Sequence, residues 1–428
     1  MGKALMIIVV GFSMIFSTIT FTLTSRQSYG SKKFYDRYDE LMTKNIYDSA
    51  ANISLSRHFR SGGLPRPYVF EYFQFNGFKV FSYAFEPDPE DRNSRYRSRW
   101  YKPEATRFKR SIIFTTVSDR NGRFVESDRE THVKRAPFSY YQYLIDDGTA
   151  SNFSFSAGDT LTGAVHSNNT IRTDNRVVFK GNISAVDQDA FSNSVPQAYG
   201  NIEFGAKEIM VPDMSDMISW INGLDARWTK RDISRGKDVR IVLTGTTYTL
   251  QDSVGNILDA PRGIPSNKVF VNDDGFNVFV EGFISRRAIT IYSGKNIIID
   301  DDLTYSGSMA LLGLIAANDV IFSYQDENPD LIVQAAILAS KANLNGGNLK
   351  LRNVNNVDSL ALRLYFTGSL SAVKDQLTQI DATGMPINSF TRKHRYDPKL
   401  KNNRPPWFPE TSRWEIAHKG RLLAPINP

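Results

Sequence analysis

The chain has 428 residues, 41% of them hydrophobic, with 52 Lys and Arg against 45 Asp and Glu and a net charge of +7. That length supports one large domain or two ordinary ones with a real core. The absence of cysteine excludes disulfides, thiolate metal centres and cysteine nucleophiles, while the mild basic excess suits an anionic surface without requiring one.

The first element is "ALMIIVVGFSMIFSTITFTL", Ala4 to Leu23, uncharged throughout. As a helix it spans roughly 30 Å, the thickness of a bilayer core. The sequence therefore predicts a membrane anchor over 1–25, with Ala4, Ile7, Val10, Phe12, Ile15, Phe16, Ile19 and Leu23 as its apolar side chains. The run is long for a signal peptide, and no Ala-x-Ala site follows it. Lys3 lies on one side and Arg26, Lys32 and Lys33 on the other, so charge does not orient the span. The bulk of the chain is placed outside the cytoplasm because nothing later reads as a second span.

Residues 26–62 keep a helical rhythm. Phe34, Tyr38, Leu41, Met42, Ile46, Ala50 and Ile53 form one apolar stripe among charged neighbours, which predicts an amphipathic stalk. Gly30 reads as a flexible point, and Gly62-Gly63 with Pro65 ends the helix. An apolar half leading into an amphipathic half beneath a head is a pilin-like layout. Pilins, however, show Phe after the processed Gly and Glu at the fifth mature position. Here Lys3 follows Gly2, and Ile7 stands where the Glu is sought. The resemblance therefore implies a minor or accessory subunit, or an uncleaved anchor, and not a major pilin.

Residues 63–137 alternate aromatic runs with polar turns. Asn76-Gly77 and Asn121-Gly122 each separate two strand-like stretches, the signal of a hairpin, and together predict a small antiparallel unit. Between them, "DRNSRYRSRWYKPEATRFKR" interleaves Arg95, Arg97, Arg99, Lys102, Arg107, Lys109 and Arg110 with aromatics such as Trp100. That composition suits polyanion contact and equally a solvated loop. No nucleic-acid motif accompanies it, so nucleic acid is not expected as a partner.

Over 138–385 the apolar residues come in threes and fours between Gly, Asn and Asp, as in "VRIVLTG", "LLGLIAANDVIF" and "VQAAILAS". Short strands with small corner residues predict a mainly β domain, a parallel β-helix or solenoid in which each coil buries its apolar side on the next. A β-sandwich is the alternative. One short helix interrupts the strands, with Asp213 as N-cap and Met217, Ile218 and Ile221 facing inward. The tail, 386–428, carries Pro405-Pro406, Trp407 and Phe408 and reads as an extended strap over an open end of the solenoid.

"GDTLTGAVHSNN", Gly158 to Asn169, holds His166 among hydroxyls and amides. In the solenoid frame it is the first coil, with Val165 inward and His166 outward. No second histidine lies nearby in sequence and no metal-ligand spacing exists, so a hydrogen-bonded structural histidine beside Ser167 and Asn168 is the expectation; no metal or cofactor is expected. The segment, with "PFSYYQYLIDDG" and "VVFKGNISA", resembles the signature of an uncharacterised bacterial family of large, single-pass, pilin-like envelope proteins. Gly158, Asp159, Gly163, Val165, His166 and Asn168 match its pattern, and Ala164 and Asn169 replace its usual Pro and Gly. Leu312 to Phe322 and Ala335 to Ala339 fit its coils. The resemblance implies the cell envelope and the company of type IV pilus or secretion-like assembly proteins, in a non-enzymatic role. The alternative is a surface adhesin that takes a glycan through a β-helix. A glycan-active enzyme would use Asp300 and Asp302, which share a strand face roughly 6–7 Å apart.

Overall fold

The computed structural model describes residues 2–60, 69–75, 78–85, 111–118, 124–125, 129–146, 154–155, 158–173, 176–187, 191–192, 196–224, 227–228, 237–272, 275–324, 330–341, 346–353, 362–377, 391–401 and 403–422. The protein is mainly β behind an N-terminal helix. It forms two compact units. One is Met1–Tyr101 with Arg110–Lys134 and Ile416–Pro428; the other is Lys102–Lys109 with Arg135–Glu415.

In the first unit, α1 (Gly2–Arg60) is one helix of 59 residues, about 90 Å long. Gly30, read as a flexible point, lies within it without a break. One glycine costs a helix about 1 kcal/mol, and the long flanking segments outweigh that. Val10, Phe12, Met14, Ile15, Phe16, Ile19, Phe21 and Leu23 are 47–74% exposed, and at 100° per residue they fall in two arcs on opposite sides of the helix, with Gly11, Ser13, Ser17, Thr18, Thr20, Thr22 and Thr24 between them. Phe34, Tyr38, Leu41 and Met42 are exposed as well.

Among the described residues no helix is long and apolar enough to cross a membrane. The span expected over Ala4–Leu23 falls only partly within that description. In the described part, Ser13, Ser17, Thr18, Thr20, Thr22 and Thr24 dilute the apolar residues; the side chains before Val10, including Ala4 and Ile7, lie outside the description.

Helix α1 lies against β1 (Val69–Phe75), β2 (Phe78–Phe85) and β3 (Ser111–Ser118). β1 pairs antiparallel with β2, Phe75 opposite Phe78, and β3 pairs antiparallel with β4 (Phe124–Val125). The strands on either side of both Asn-Gly pairs are thus hairpin partners. β5 (Arg129–Pro137) joins β3, and the C-terminal strand follows β5.

The second unit opens with β6 (Tyr141–Ile145) and three short turns of chain. The first holds β7 (Ser154–Phe155), β8 (Thr160–Leu161) and β9 (Ala164–Ser167). The second holds β10 (Ile171–Thr173), β11 (Val178–Phe179) and β12 (Ile183–Ala185). The third holds β13 (Phe191–Ser192), β14 (Gln197–Ala198) and β15 (Ile202–Glu203). Each turn adds one strand to each of three parallel ladders. Glycine makes the spacing feasible at one corner. A Cβ on Gly181 would lie 2.0 Å from the Gly163 carbonyl oxygen, and one on Gly200 would lie 2.1 Å from that of Gly181. This corner admits no side chain.

Helix α2 (Met214–Asn222) follows, its N-terminus closed by a capping box between Asp213 and Asp216. Met217 and Ile221 are buried, one turn apart, whereas Ile218, expected inward, is 50% exposed. The 100° step per residue turns it off the face that its neighbours share.

After β16 (Arg227–Trp228), an antiparallel meander of β17 (Val239–Gly245), β18 (Thr247–Asp252) and β19 (Ile257–Gly263) is the antiparallel pairing described within this unit. The strands that follow are β20 (Lys268–Asn272), β21 (Val278–Ser285), β22 (Ala288–Ser293), β23 (Ile297–Ser306) and β24 (Leu311–Ala316). Next come β25 (Val320–Tyr324), β26 (Asp330–Ala339), β27 (Asn348–Asn353), β28 (Arg363–Ala372) and β29 (Lys374–Asp375). From β20 on they pair in parallel with the strand two places on, behind β17 and β16, as β17–β21–β23–β25–β27–β29 and β16–β20–β22–β24–β26–β28. Asparagines line one corner: Asn277 Nδ2 donates to Asp238 at 3.0 Å, Asn296 to Asn277 at 3.0 Å and Asn318 to Asn296 at 2.8 Å.

The ladder does not stop at β28. The first half of β28 pairs with β30 (Thr391–Arg395), and its second half pairs with β6, which continues to β9. The stretch read as the first coil therefore lies inside the stack, next to the last strands of the unit. The tail, read as a strap over an open end, supplies β30 to that stack and then runs along its side before β31 (Glu410–Leu422). There Thr290 Oγ1 donates to Pro406 O at 2.6 Å and Trp220 Nε1 to Trp407 O at 2.9 Å. Phe408 is fully buried.

Two apolar clusters result. Leu312, Leu314 and Ala316 of β24 face the inner one, while Leu311, Ile315 and Ala317 meet α2 and the tail in the outer one. Burial on both faces explains why "LLGLIAA" reads as an unbroken apolar run.

Candidate functional site: buried polar clusters of the second unit

His166 projects from β9 on the outer side of the ladder, yet it is fully buried. Its Nε2 lies 2.8 Å from Asn168 Oδ1 and its Nδ1 lies 2.8 Å from Ser184 Oγ. A carbonyl oxygen only accepts, so Nε2 carries the proton and Nδ1 accepts from the serine. The ring is thus neutral and fully partnered, and burial pushes its pKa down to about 4. Ser167, expected beside it, instead accepts from Asn169 N at 3.1 Å.

Asn168 links this ring to the surrounding chain. Its Nδ2 donates to Asp146 Oδ1 at 2.6 Å and to Ile209 O at 3.0 Å, and its Oδ1 accepts from Ile209 N at 3.0 Å. Asp146 Oδ2 accepts from Val211 N at 2.8 Å, and burial raises that carboxyl's pKa. The motif therefore pins the segment before α2 across the ladder. Gly163 belongs to the same construction, since its N–H donates to Gln142 Oε1 at 2.7 Å and a Cβ there would lie 2.6 Å from the Tyr396 ring. Gly158 turns the chain with φ +93°, a left-handed conformation that glycine adopts without strain.

A second cluster forms where β6, β28 and β30 meet the first short turn. Arg392 Nη1 donates to Asp375 Oδ2 at 2.7 Å, with its guanidinium 5.2 Å from the centre of the Tyr143 ring. His394 packs edge-on against Tyr143 and Phe366, with ring centres 4.4 and 4.8 Å away. Burial, then Arg392, hold its pKa well below the ordinary imidazole value. Tyr143, Asp159, Thr160, Arg392 and His394 line a cavity of about 10 Å³, room for one water and not for an organic substrate.

The third cluster involves the aspartates considered for glycan chemistry. Arg240 bridges Asp300 Oδ2 at 2.6 Å and Glu281 Oε2 at 2.5 Å. The Asp300 side chain is 1% exposed. Asp302 instead accepts from Ile332 N at 2.7 Å, and the pairing register slips across this stretch. Asp300 and Asp302 are each held by a different strand.

Among the described residues no group of His, Asp and Glu forms a metal site. Arg95, Arg97, Arg99, Trp100, Lys102, Arg107, Lys109 and Arg110 lie outside the described residues. Sequence reasoning missed Arg240, Asp375, Arg392 and His394. The last two sit in "TRKHR", which has no apolar residue to mark it as a strand.

No protein-family model and no curated protein sequence matches the chain. Among solved structures, the competence-associated pilin ComZ from Thermus thermophilus is similar at 11% identity over 85% of this chain and 89% of that chain, with a TM-score of 0.33. A score that low does not establish a shared fold.

Proposed function

We propose that this chain is a non-enzymatic structural component of a pilus-like or secretion-like assembly at the cell envelope, with α1 as its assembly helix and the parallel stack as a β-helix head. The observation that carries this reading is the exposure of Val10, Phe12, Met14, Ile15, Phe16, Ile19, Phe21 and Leu23 around α1. A helix with exposed apolar side chains on two opposite sides needs apolar neighbours on both. Its hydroxyls suit such a place: Thr18, Thr22 and Thr24 donate to the carbonyls four residues back at 2.7–2.8 Å. That leaves their methyl groups outward and satisfies the polar atoms within the helix. Small residues such as Gly11, Ser13 and Ser17 let neighbouring helices approach closely. The head contributes polar clusters in which Asn168, Arg240 and Arg392 each hold a buried carboxylate, the arrangement of a scaffold.

The first turn of α1 carries no acidic residue. In the pilin-like frame, a subunit without that carboxylate fits a tip, priming or accessory position better than a repeating one.

The cysteine-free sequence gives a clean test. Phe16→Cys and Ile19→Cys should crosslink in cells to other copies or to other apolar helices, while Val254→Cys, 80% exposed in the head, should not. Deletion of the gene should abolish pili or secretion. Absence of crosslinks at both helix positions would sink the assembly reading, and so would intact pili and secretion accompanied by lost attachment to a glycan surface.

A further inference from the structure

The layer that joins β28 to β9 is built from the two ends of the second unit. β6 pairs with one half of β28 and β30 with the other half. β6 carries the ladder on to β9, and β30 covers the edge that the first half of β28 would otherwise leave unpaired. β30 also has no apolar side chain with which to hold itself, because its sequence is Thr-Arg-Lys-His-Arg. Lys393 and Arg395 are exposed, and Arg392 and His394 turn the other way.

We propose that β30 is an acid-released latch: protonation of His394 unseats the strand and bares the first half of β28.

The charges around the ring set the direction. On β30 itself stand Arg392, Lys393 and Arg395. From β29, Asp375 faces the ring's side of the strand but is already held by Arg392. From the first short turn comes Asp159, and Tyr143 from β6 and Phe366 from β28 cover the ring faces. The Nε2 contact is a single backbone one, 3.4 Å from Gly368 O, and Nδ1 is sealed from solvent with no hydrogen-bond partner among the described residues. A second proton on the ring would add a fourth cation to a five-residue strand, where among the described residues no carboxylate is in hydrogen-bond contact with the ring. Once the strand leaves, the imidazole regains its ordinary affinity for protons. The opened form therefore takes up a proton that the closed form refuses, and acid shifts the balance toward opening. His166, buried in the same unit, is fully hydrogen-bonded and sits on the other side of the ladder, so its titration does not act on β30.

Hydrogen exchange of the full chain, read by mass spectrometry on peptides covering 391–395 and, for comparison, 288–293 of β22, tests this. After correction for intrinsic exchange, opening of 391–395 should rise up to about tenfold per pH unit below roughly pH 6.5, with β22 unchanged. His394→Phe keeps the ring packing and removes the titration, so its 391–395 peptide should show a flat profile. His394→Gln should flatten it as well and guards against a phenylalanine variant that fails to fold. Equal acceleration in both peptides, or a slope that persists in either folded variant, would overturn the latch.

Discussion

His166 is the residue at which chemistry and architecture meet. Its neutral ring is locked between a serine donor and an amide acceptor, so the fold binds it in the unprotonated form only. Because its pKa falls to about 4 in the fold, below the ordinary value near 6.5, unfolding in mild acid takes up a proton. The stability it confers, about 3 kcal/mol for a shift of that size, is complete above about pH 6.5 and is lost as pH falls toward 4. Asp146, raised by burial, works in the opposite sense: its contribution is present in acid and fades as pH rises through its folded pKa. The difference between wild type and His166→Phe therefore isolates the histidine. Denaturant midpoints measured from pH 7 to pH 4.5 should converge toward acid, and parallel curves would reject the assignment. Gly181 offers a steric counterpart. Alanine there meets the Gly163 carbonyl and should cost about 2–4 kcal/mol, whereas Gly158→Ala pays only for its positive φ, about 1–2 kcal/mol. Similar losses from both would show that the glycine corner is not close-packed.

At the scale of elements, the side of the stack is closed by the tail and by α2, and ion bridges tie strands within it. Gly313 leaves the space into which Pro405 and Phe408 fit, since a Cβ there would lie 2.8 Å and 2.9 Å from them. Phe408→Ala should lower stability by about 3–5 kcal/mol and speed proteolysis within 403–409. Unchanged proteolysis would mean that the tail is held mainly by its backbone hydrogen bonds. Arg240 tests the other kind of tie. Arg240→Ala leaves Asp300 buried without its cation, which should cost about 3–5 kcal/mol. Adding Asp300→Asn should return part of that loss, and a double variant no better than the single one would show that the arginine acts by packing alone.

For the whole molecule the governing contrast is between a head whose buried carboxylates are held by neighbouring side chains and a helix whose apolar groups are exposed. Removing Gly2–Leu23 should turn a self-associating protein into a monodisperse one, read by sedimentation at several concentrations. Continued self-association would move the assembly surface from α1 to the head.

Local chemistry announced much of this in the sequence. The helical rhythm on either side of Gly30, the Asn-Gly hairpins, the Asp213 cap and the Gly and Asn corners all depend on residues within a few positions of one another. Apolar triplets marked the inner core for the same reason, because alternation is a property of one strand. The structure alone decided which strand pairs with which. β6 and β30 stand some 250 residues apart and meet on β28, and no local pattern encodes that register. It decided the polar interior as well. "TRKHR" reads as solvated from its composition, and it becomes a strand only because β28 offers an unpaired edge to its backbone and Asp375 a partner to its arginine. Alternation in a sequence says that a strand has a buried side; only the fold says what buries it.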